Sequence, residues 1–299
     1  MDFISPWIHT TEKCNMKCHY CYVKGNRTIK KETYQQIEKF LMSVDTDKRH
    51  LRFAGGEPLL VFDLWRGFAE SMLRKKGTWV EVLTNLYDVP VGFFKFAEKD
   101  NVNVSVSIDS GKIDKKLNKD ISEKLKKLKN PWIMTVVTKE NINELDLLAA
   151  FVGMNKYGWA ISTDYFDNSE PWIEKLHEKL MKSMLLLKEF NYNFSHISFN
   201  NCSINSGFSG CRAGNEMITI DCDGDIYRCQ TQIGNKSKII GNIHSGYKKI
   251  EKKSSPHCKK CSANLYCNGW CPLYHKPSSS ICDVIKIFEL FILKEAKNA

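Results

Sequence analysis

No run in the 299-residue chain approaches the roughly 20 uninterrupted apolar residues of a membrane helix. The N-terminus, with Asp2 and no long apolar stretch, also lacks the build of a secretory signal. A cytoplasmic protein that does not span a membrane is therefore expected. The sequence lacks a concentrated basic run as well. Its formal charge is +10, but the lysines are dispersed over helical-looking segments and no basic stretch is interleaved with aromatics. That pattern describes a solvated surface, so a nucleic-acid partner is not expected and RNA modification ranks low. Cysteine is missing from residues 22–201.

The remaining stretches hold twelve cysteines, three between Cys14 and Cys21 and nine between Cys202 and Cys282. In a reducing compartment, thiols clustered at short spacings are metal ligands more often than disulfides. Two chemically separate regions are implied. At 42% hydrophobic and 26% charged residues, the chain has the composition of one large folded domain or two smaller ones.

Over the first 190 residues or so, β-rich runs alternate with helical periodicity. Strands are predicted at Trp7–Thr11, Leu51–Ala54, Val80–Leu83, Val102–Ile108, Trp132–Val137 and Trp159–Thr163. Helices are predicted at Lys31–Ser43, Phe62–Arg74, Val91–Asp100, Lys115–Lys127, Asn143–Met154 and Pro171–Asn191. Six βα units in series predict an α/β fold with a parallel sheet and right-handed crossovers, curled into a partial (β/α)6 TIM-like barrel.

Reactive groups in such barrels gather past the C-terminal ends of the strands. The six predicted ends lead to the three cysteines, to Gly55, Gly56 and Glu57, to Thr84 and Asn85, to Ser107 and Asp109, to Thr138, and to Asp164. One shared site is expected there. Turn or helix-cap roles remain the alternative for Thr84, Asn85, Ser107 and Asp109.

Cys14, Cys18 and Cys21 form a C-x3-C-x2-C spacing. It suits one loop wrapped on a cubane cluster, one thiolate short of filling four irons, and the open iron is what separates a reactive site from a closed one. Zinc ligation or buried thiols are compatible with the spacing alone. The context narrows it. C-x3-C-x-aromatic-C, with Tyr20 at the aromatic place, is followed by Gly-Gly-Glu-Pro at 55–58, and this combination resembles the radical SAM family.

The resemblance implies a 4Fe-4S cluster on Cys14, Cys18 and Cys21, with the methionine end of S-adenosylmethionine on its unique iron. Gly55, Gly56 and Glu57 would receive the methionine amino group, the glycines allowing close approach. Tyr20 would lie by the adenine, and Thr84, Asn85, Ser107 and Asp109 would meet the ribose or carboxylate. The implied chemistry is one-electron reduction of the sulfonium to a 5'-deoxyadenosyl radical that takes hydrogen from a substrate.

The second cysteine region reads Cys211, Gly224, Cys229, then Cys258-x2-Cys261-x5-Cys267-x3-Cys271, and Cys282. Four of these thiols, or His257 beside them, would make a zinc knuckle, but the number exceeds one zinc site. The pattern resembles the SPASM extension of radical SAM enzymes, a small cysteine-rich α+β domain with two auxiliary 4Fe-4S clusters. By that resemblance one cluster uses Cys211, Cys229 and Cys271, completed by Cys202 with Cys222 as competitor. The other uses Cys258, Cys261, Cys267 and Cys282. Domains are expected at 1–195 and 196–299, the latter ending in a docking helix over Val284–Leu293. Asp223-Gly224 reads as a hairpin turn, with a calcium loop only faintly suggested.

The family likeness implies an oxidoreductase acting on a peptide or protein, most simply maturation of a ribosomally made peptide by crosslinking, thioether formation, epimerisation or oxidation. An external electron donor of flavodoxin or ferredoxin type is expected. Thirteen residues precede Cys14, so a separate leader-binding protein is a candidate partner. Sulfatase-maturase-like formylglycine formation is the second reading, weakened because Gln230 stands where those relatives place an aspartate base. Porphyrin or small-molecule modification follows it. Asp164 is the candidate acid or base at the sixth strand. A zinc-binding structural protein is the alternative from another class, and it leaves Gly55–Pro58 without a role.

Overall fold

The structure, a computed structural model, describes residues 3–109, 115–163, 169–199, 202–203, 212–250, 258, 260–261 and 279–297. Its strands are β1 (Ser5–Thr11), β2 (Arg49–Gly55), β3 (Thr78–Thr84), β4 (Val102–Ser107), β5 (Trp132–Val137), β6 (Gly158–Thr163), β7 (Ile197–Phe199) and β8 (Cys202–Ser203). They continue as β9 (Met217–Ile220), β10 (Asp225–Tyr227), β11 (Ile239–Asn242) and β12 (Gly246–Tyr247). The α-helices are α1 (Lys31–Ser43), α2 (Phe62–Leu73), α3 (Phe93–Ala97), α4 (Lys115–Leu125), α5 (Leu145–Asn155), α6 (Glu170–Glu189) and α7 (Ser279–Lys297). The fold is mixed α/β with a parallel sheet, as the alternating periodicities imply.

Two compact units divide the chain, one of Met1–Val106, Ile121–Pro131 and Arg212–Glu251, the other of Ser107–Asp120, Trp132–Cys211 and Lys252–Ala299. In the first, β1, β2, β3 and β4 run parallel in sequence order. The other edge of β1 takes β9, also parallel, pairing Ser5 with Met217 and Ile8 with Ile220. From β9 the chain returns through an antiparallel meander, β10, β11 and β12. Residues 212–251 therefore belong to the same unit as the N-terminal strands.

Amphipathic spacing seats the helices. Tyr34, Ile37, Phe40 and Leu41 make one buried stripe on α1, and Phe62, Trp65, Phe68, Ala69 and Met72 another on α2. Phe53 of β2 stacks on Trp65 at 4.4 Å between centroids, with Phe62 and Phe96 edge-on to Trp65 and Phe93 edge-on to Phe62. The α3 helix is shorter than the predicted Val91–Asp100, because Gly92 at φ 84° precedes it and Asn101 at φ 63° follows.

The opposite face of the same strands is polar. Arg52 Nε donates to Glu81 Oε2 at 2.8 Å, its Nη1 reaches Ser5 Oγ at 2.5 Å, and Ser105 Oγ donates to Glu81 Oε1 at 2.6 Å. Burial alone would raise the Glu81 carboxyl, but Arg52, His50 and Ser105 outweigh it and hold it well below the usual carboxylate range. A paired and hydrogen-bonded charge is the form in which a carboxylate tolerates such a position.

In the second unit β5 and β6 run parallel from Trp132↔Gly158 to Val137↔Thr163, β7 follows β6 in parallel, and β8 turns back on β7. Trp159 Nε1 donates to Thr135 Oγ1 at 3.0 Å. The predicted tail helix is α7, which docks through Phe291 edge-on to Phe194 and through Lys188 Nζ to Glu295 Oε1 at 2.9 Å.

Candidate active site

The loop leaving the C-terminal end of β1 carries Cys14, Cys18 and Cys21, all free thiols, the second half-buried and the other two exposed. Its base is held by main-chain bonds. Glu12 N–H donates to Arg27 C=O at 2.8 Å, Ile29 N–H to Thr10 C=O at 2.9 Å, and the Thr11 and Thr28 hydroxyls meet at 2.8 Å. Within the loop Cys21 N–H donates to Cys18 C=O at 3.1 Å, the tight turn that a C-x2-C spacing permits. Met16 N–H points at Cys14 Sγ, 3.4 Å away.

Gly55 and Gly56 lie flush against the entry to this loop. A Cβ on Gly55 would stand 2.3 Å from Thr11 O, and one on Gly56 2.1 Å from Lys13 O. Gly56 N–H donates to Thr11 C=O at 2.7 Å and Glu57 N–H to Lys13 C=O at 2.8 Å. The absence of a Cβ at both positions is what lets the Thr11–Lys13 backbone come this close. The glycines set where the cysteine loop begins.

Glu57, 1% exposed, is likewise engaged by the chain itself. Its Oε1 accepts Leu59 N–H at 3.0 Å and the Thr84 hydroxyl at 2.7 Å, and its Oε2 accepts Asn85 N–H at 2.8 Å. One carboxylate thus ties the Gly-Gly-Glu-Pro turn to the end of β3. Asn85 continues the chain of contacts: its Nδ2 donates to Asn15 Oδ1 at 2.8 Å and lies 3.9 Å from Cys14 Sγ, while Asn15 Nδ2 donates to Asp88 Oδ2 at 2.7 Å. Four predicted residues, Gly56, Glu57, Thr84 and Asn85, are in this way connected to Cys14.

Tyr20 is half-buried, its ring edge-on to His19 at 5.1 Å. Ser107 and Asp109 belong to the second unit, where Asp109 Oδ1 accepts Val136 N–H at 3.2 Å. Thr138, also buried there, closes β5 by donating its N–H to Asn141 Oδ1 at 2.8 Å. Asp164, Cys211, Cys267 and Cys271 lie outside the described residues, and of Cys202 only the backbone, in β8, is described. Cys229 lies two residues past the end of β10, with Thr231 Oγ1 3.4 Å from its sulfur. Cys261 N–H donates to Cys258 C=O at 3.1 Å, the same turn as at Cys18 and Cys21. Cys261 and Cys282 both act on the Lys286 ammonium, which Asp283 first and these thiols next push up.

Cys222 behaves differently. It is 6% exposed in the β9–β10 turn, its Sγ points at His9 O 3.4 Å away, and burial pushes its pKa up to about 12. Asp221 Oδ1 accepts Asp223 N–H and Asp225 N–H at 3.0 and 2.9 Å, and Gly224 adopts φ 83°. The hairpin turn is realised.

The donor set suits a cluster. Three thiols on one short loop are the donor type that iron–sulfur clusters use; among the described residues no three His, Cys, Asp or Glu side chains are drawn together on one point. Burial raises the Cys14 thiol, with Glu57, Cys18 and Cys21 adding to it, and burial and Cys18 raise Cys21. A thiol must lose its proton to bind a metal, so any metal loading at these positions would release protons. Sequence spacing gave no sign of Glu12, Asn15, Arg27 or Asp88, whose roles appear only when the loop is closed.

Residues 8–152 match the family model of the Radical SAM superfamily. The chain is 25% identical over 306 positions to mycofactocin maturase MftC of Mycolicibacterium smegmatis, spanning 87% of this chain and 76% of that protein. Among solved structures it resembles anSMEcpe with bound AdoMet and a Cp18Cys peptide, at 18% identity and TM-score 0.73 over 99% of each chain. It also resembles Streptococcus suis SuiB bound to precursor peptide SuiA, at 17% identity and TM-score 0.66 over 94% of this chain and 76% of that one. No helix among the described residues is long and apolar enough to cross a membrane.

Proposed function

We propose that the radical SAM domain formed by residues 8–152 serves an enzyme that removes hydrogen from a peptide or protein substrate in order to modify it. The observation that carries this reading is the anchored loop of three free thiols at the end of β1, joined through Asn85 and Glu57 to the end of β3. Cys14, Cys18 and Cys21 would hold a 4Fe-4S cluster. When bound, that cluster and S-adenosylmethionine supply one-electron cleavage to methionine and a 5'-deoxyadenosyl radical.

The chain's own residues position and insulate. Gly55 and Gly56 seat the loop entry, and Glu57 locks the second strand end to the third. The Tyr20 ring, in the cysteine loop beside Cys21, is the candidate adenine contact, and Ser107 and Asp109 are candidates for the ribose and carboxylate. Asp164 is the candidate acid or base.

Support for a peptide substrate comes from relatives: SuiB is bound to a precursor peptide and anSMEcpe to a peptide, and MftC is a maturase. The cysteines past residue 200 read as a SPASM region with two auxiliary clusters, Cys202, Cys211, Cys229 and Cys271 on one, and Cys258, Cys261, Cys267 and Cys282 on the other. The turn at Cys258–Cys261 and the shared influence of Cys261 and Cys282 on Lys286 support the second set. Burial of Cys222 favours Cys202 for the first set and leaves Cys222 as the free thiol. Gln230 after Cys229 gives formylglycine formation no carboxylate at that place.

The test is anaerobic purification with iron and sulfide counts, followed by dithionite and S-adenosylmethionine and an assay for 5'-deoxyadenosine. About 12 irons per chain and product abolished by alanine at Cys14, Cys18 and Cys21 is the expected result. Zinc without product overturns the proposal.

A further inference from the structure

One side chain closes the cysteine loop and ties it to a distant hairpin. Arg27 N–H donates to Glu12 Oε2 at 3.0 Å, its Nε to Oε1 at 2.9 Å and its Nη2 to Oε1 at 2.5 Å. The other edge of the same guanidinium faces the β9–β10 turn. There Nη1 pairs with Asp223 and Nη2 stands 3.6 Å from Asp221 Oδ2. The Glu12 and Asp221 side chains are only 4% and 3% exposed. Asp221 is also the residue that folds the turn, by accepting the N–H groups of Asp223 and Asp225. Gly25 belongs to the same arrangement, since a Cβ there would lie 2.3 Å from Glu12 Oε2.

A planar guanidinium can grip Glu12 along one edge and an aspartate with the other, which an ammonium cannot. The cysteine loop and the hairpin that carries Cys222 and runs on to Cys229 are thereby held by a single cation. We infer that Arg27 is a positioning residue: it locks the loop bearing Cys14, Cys18 and Cys21 in register with that hairpin, so that the hairpin governs how firmly the loop keeps its cluster. The inference rests on the cluster reading proposed above.

The experiment uses the full chain, reconstituted anaerobically, with Arg27→Lys, Arg27→Gln and Asp223→Ala beside the wild type. Each is challenged with an iron chelator, and the dithionite-reduced form is followed by electron paramagnetic resonance with and without S-adenosylmethionine. Loss of a partner just outside the ligand shell typically costs about 10- to 100-fold in metal affinity. Arg27→Gln is accordingly expected to lose iron at least tenfold faster and to show an altered resonance that responds weakly to S-adenosylmethionine. Arg27→Lys should fall between, and Asp223→Ala should shift the resonance in the same direction by less.

Wild-type iron retention and resonance in Arg27→Gln overturn the inference. If Arg27→Gln does not fold, the decision passes to Asp223→Ala at the exposed end of the turn, where a wild-type resonance overturns it. A wild type with no iron–sulfur resonance at all sinks the cluster reading instead.

Discussion

The backbone N–H of Asn85 donates to Glu57 Oε2 at 2.8 Å while the Asn85 side chain reaches Asn15 and the sulfur of Cys14. The end of β3 is thus the intermediary between the Gly-Gly-Glu-Pro turn and the first cysteine. Removing the carboxylate leaves two N–H groups and one hydroxyl without their acceptor in a buried place. Glu57→Ala is expected to lower unfolding stability by about 3 kcal/mol or more, and Glu57→Gln by less, since its amide oxygen still accepts. Denaturant midpoints of both variants measure the difference, and equal midpoints would contradict it.

Gly56→Ala should act on the loop and not on the helices. Its Cβ would overlap Lys13 O, so the entry to the cysteine loop must move. Iron content after reconstitution is expected to drop. Gly67→Ala is the control: a Cβ there meets nothing within 4 Å, it lies on exposed helix, and it should gain up to about 1 kcal/mol. Comparable iron loss in both variants would refute the steric argument.

His9 predicts an acid sensitivity. It is fully buried, neither ring nitrogen has a hydrogen-bond partner among the described residues, and desolvation lowers its pKa to about 3 against the upward pull of Glu12. The unfolded chain therefore binds this proton from the ordinary histidine range downward and the folded chain does not. Folded stability must fall as pH drops from about 6.5 toward 3, by up to about 1.4 kcal/mol per pH unit from this group. His9→Leu should flatten the stability profile over that window, as read by chemical unfolding at several pH values. An unchanged slope would show that the imidazole is protonated in the folded protein.

Cys222→Ala and Cys202→Ala separate the two candidates for the remaining thiolate. If Cys202 completes an auxiliary cluster, Cys222→Ala retains all iron, and Cys202→Ala loses up to about four irons per chain. The reverse pattern would exchange the two assignments.

The parallel strands were legible because each is a short apolar or β-branched run followed by a helix with a clear stripe. β5 and α1 fall on their predicted limits, and the other paired strands differ by a few residues at their ends. What escaped was non-local. Nothing in Met217–Ile220 announces that it will lie beside Ser5–Ile8, because three apolar residues and a threonine fit many neighbours. The same holds at the site. Cysteine spacing and the Gly-Gly-Glu-Pro segment name themselves, whereas Glu12 and Arg27 are ordinary surface types until the loop brings them together. For Gly55 and Gly56 the sequence tells that close approach is needed, and the fold adds that the Thr11–Lys13 backbone is one of the neighbours that approach.

The partnership of β1 with β9 sets an order of events during synthesis. Ser5 N–H bonds to Glu216 C=O at 2.7 Å, so one edge of the first strand stays bare until the chain has grown past that point. At roughly 5–20 residues per second, the wait is about 10–40 s. Throughout it the bare edge is open to pairing with other chains, and the arginine at the neck of the cysteine loop has only half of its anchors. If Cys14, Cys18 and Cys21 hold the proposed cluster, their loop is fully anchored for it only after Asp221 and Asp223 have been made, so secure loading comes late in the growth of the chain.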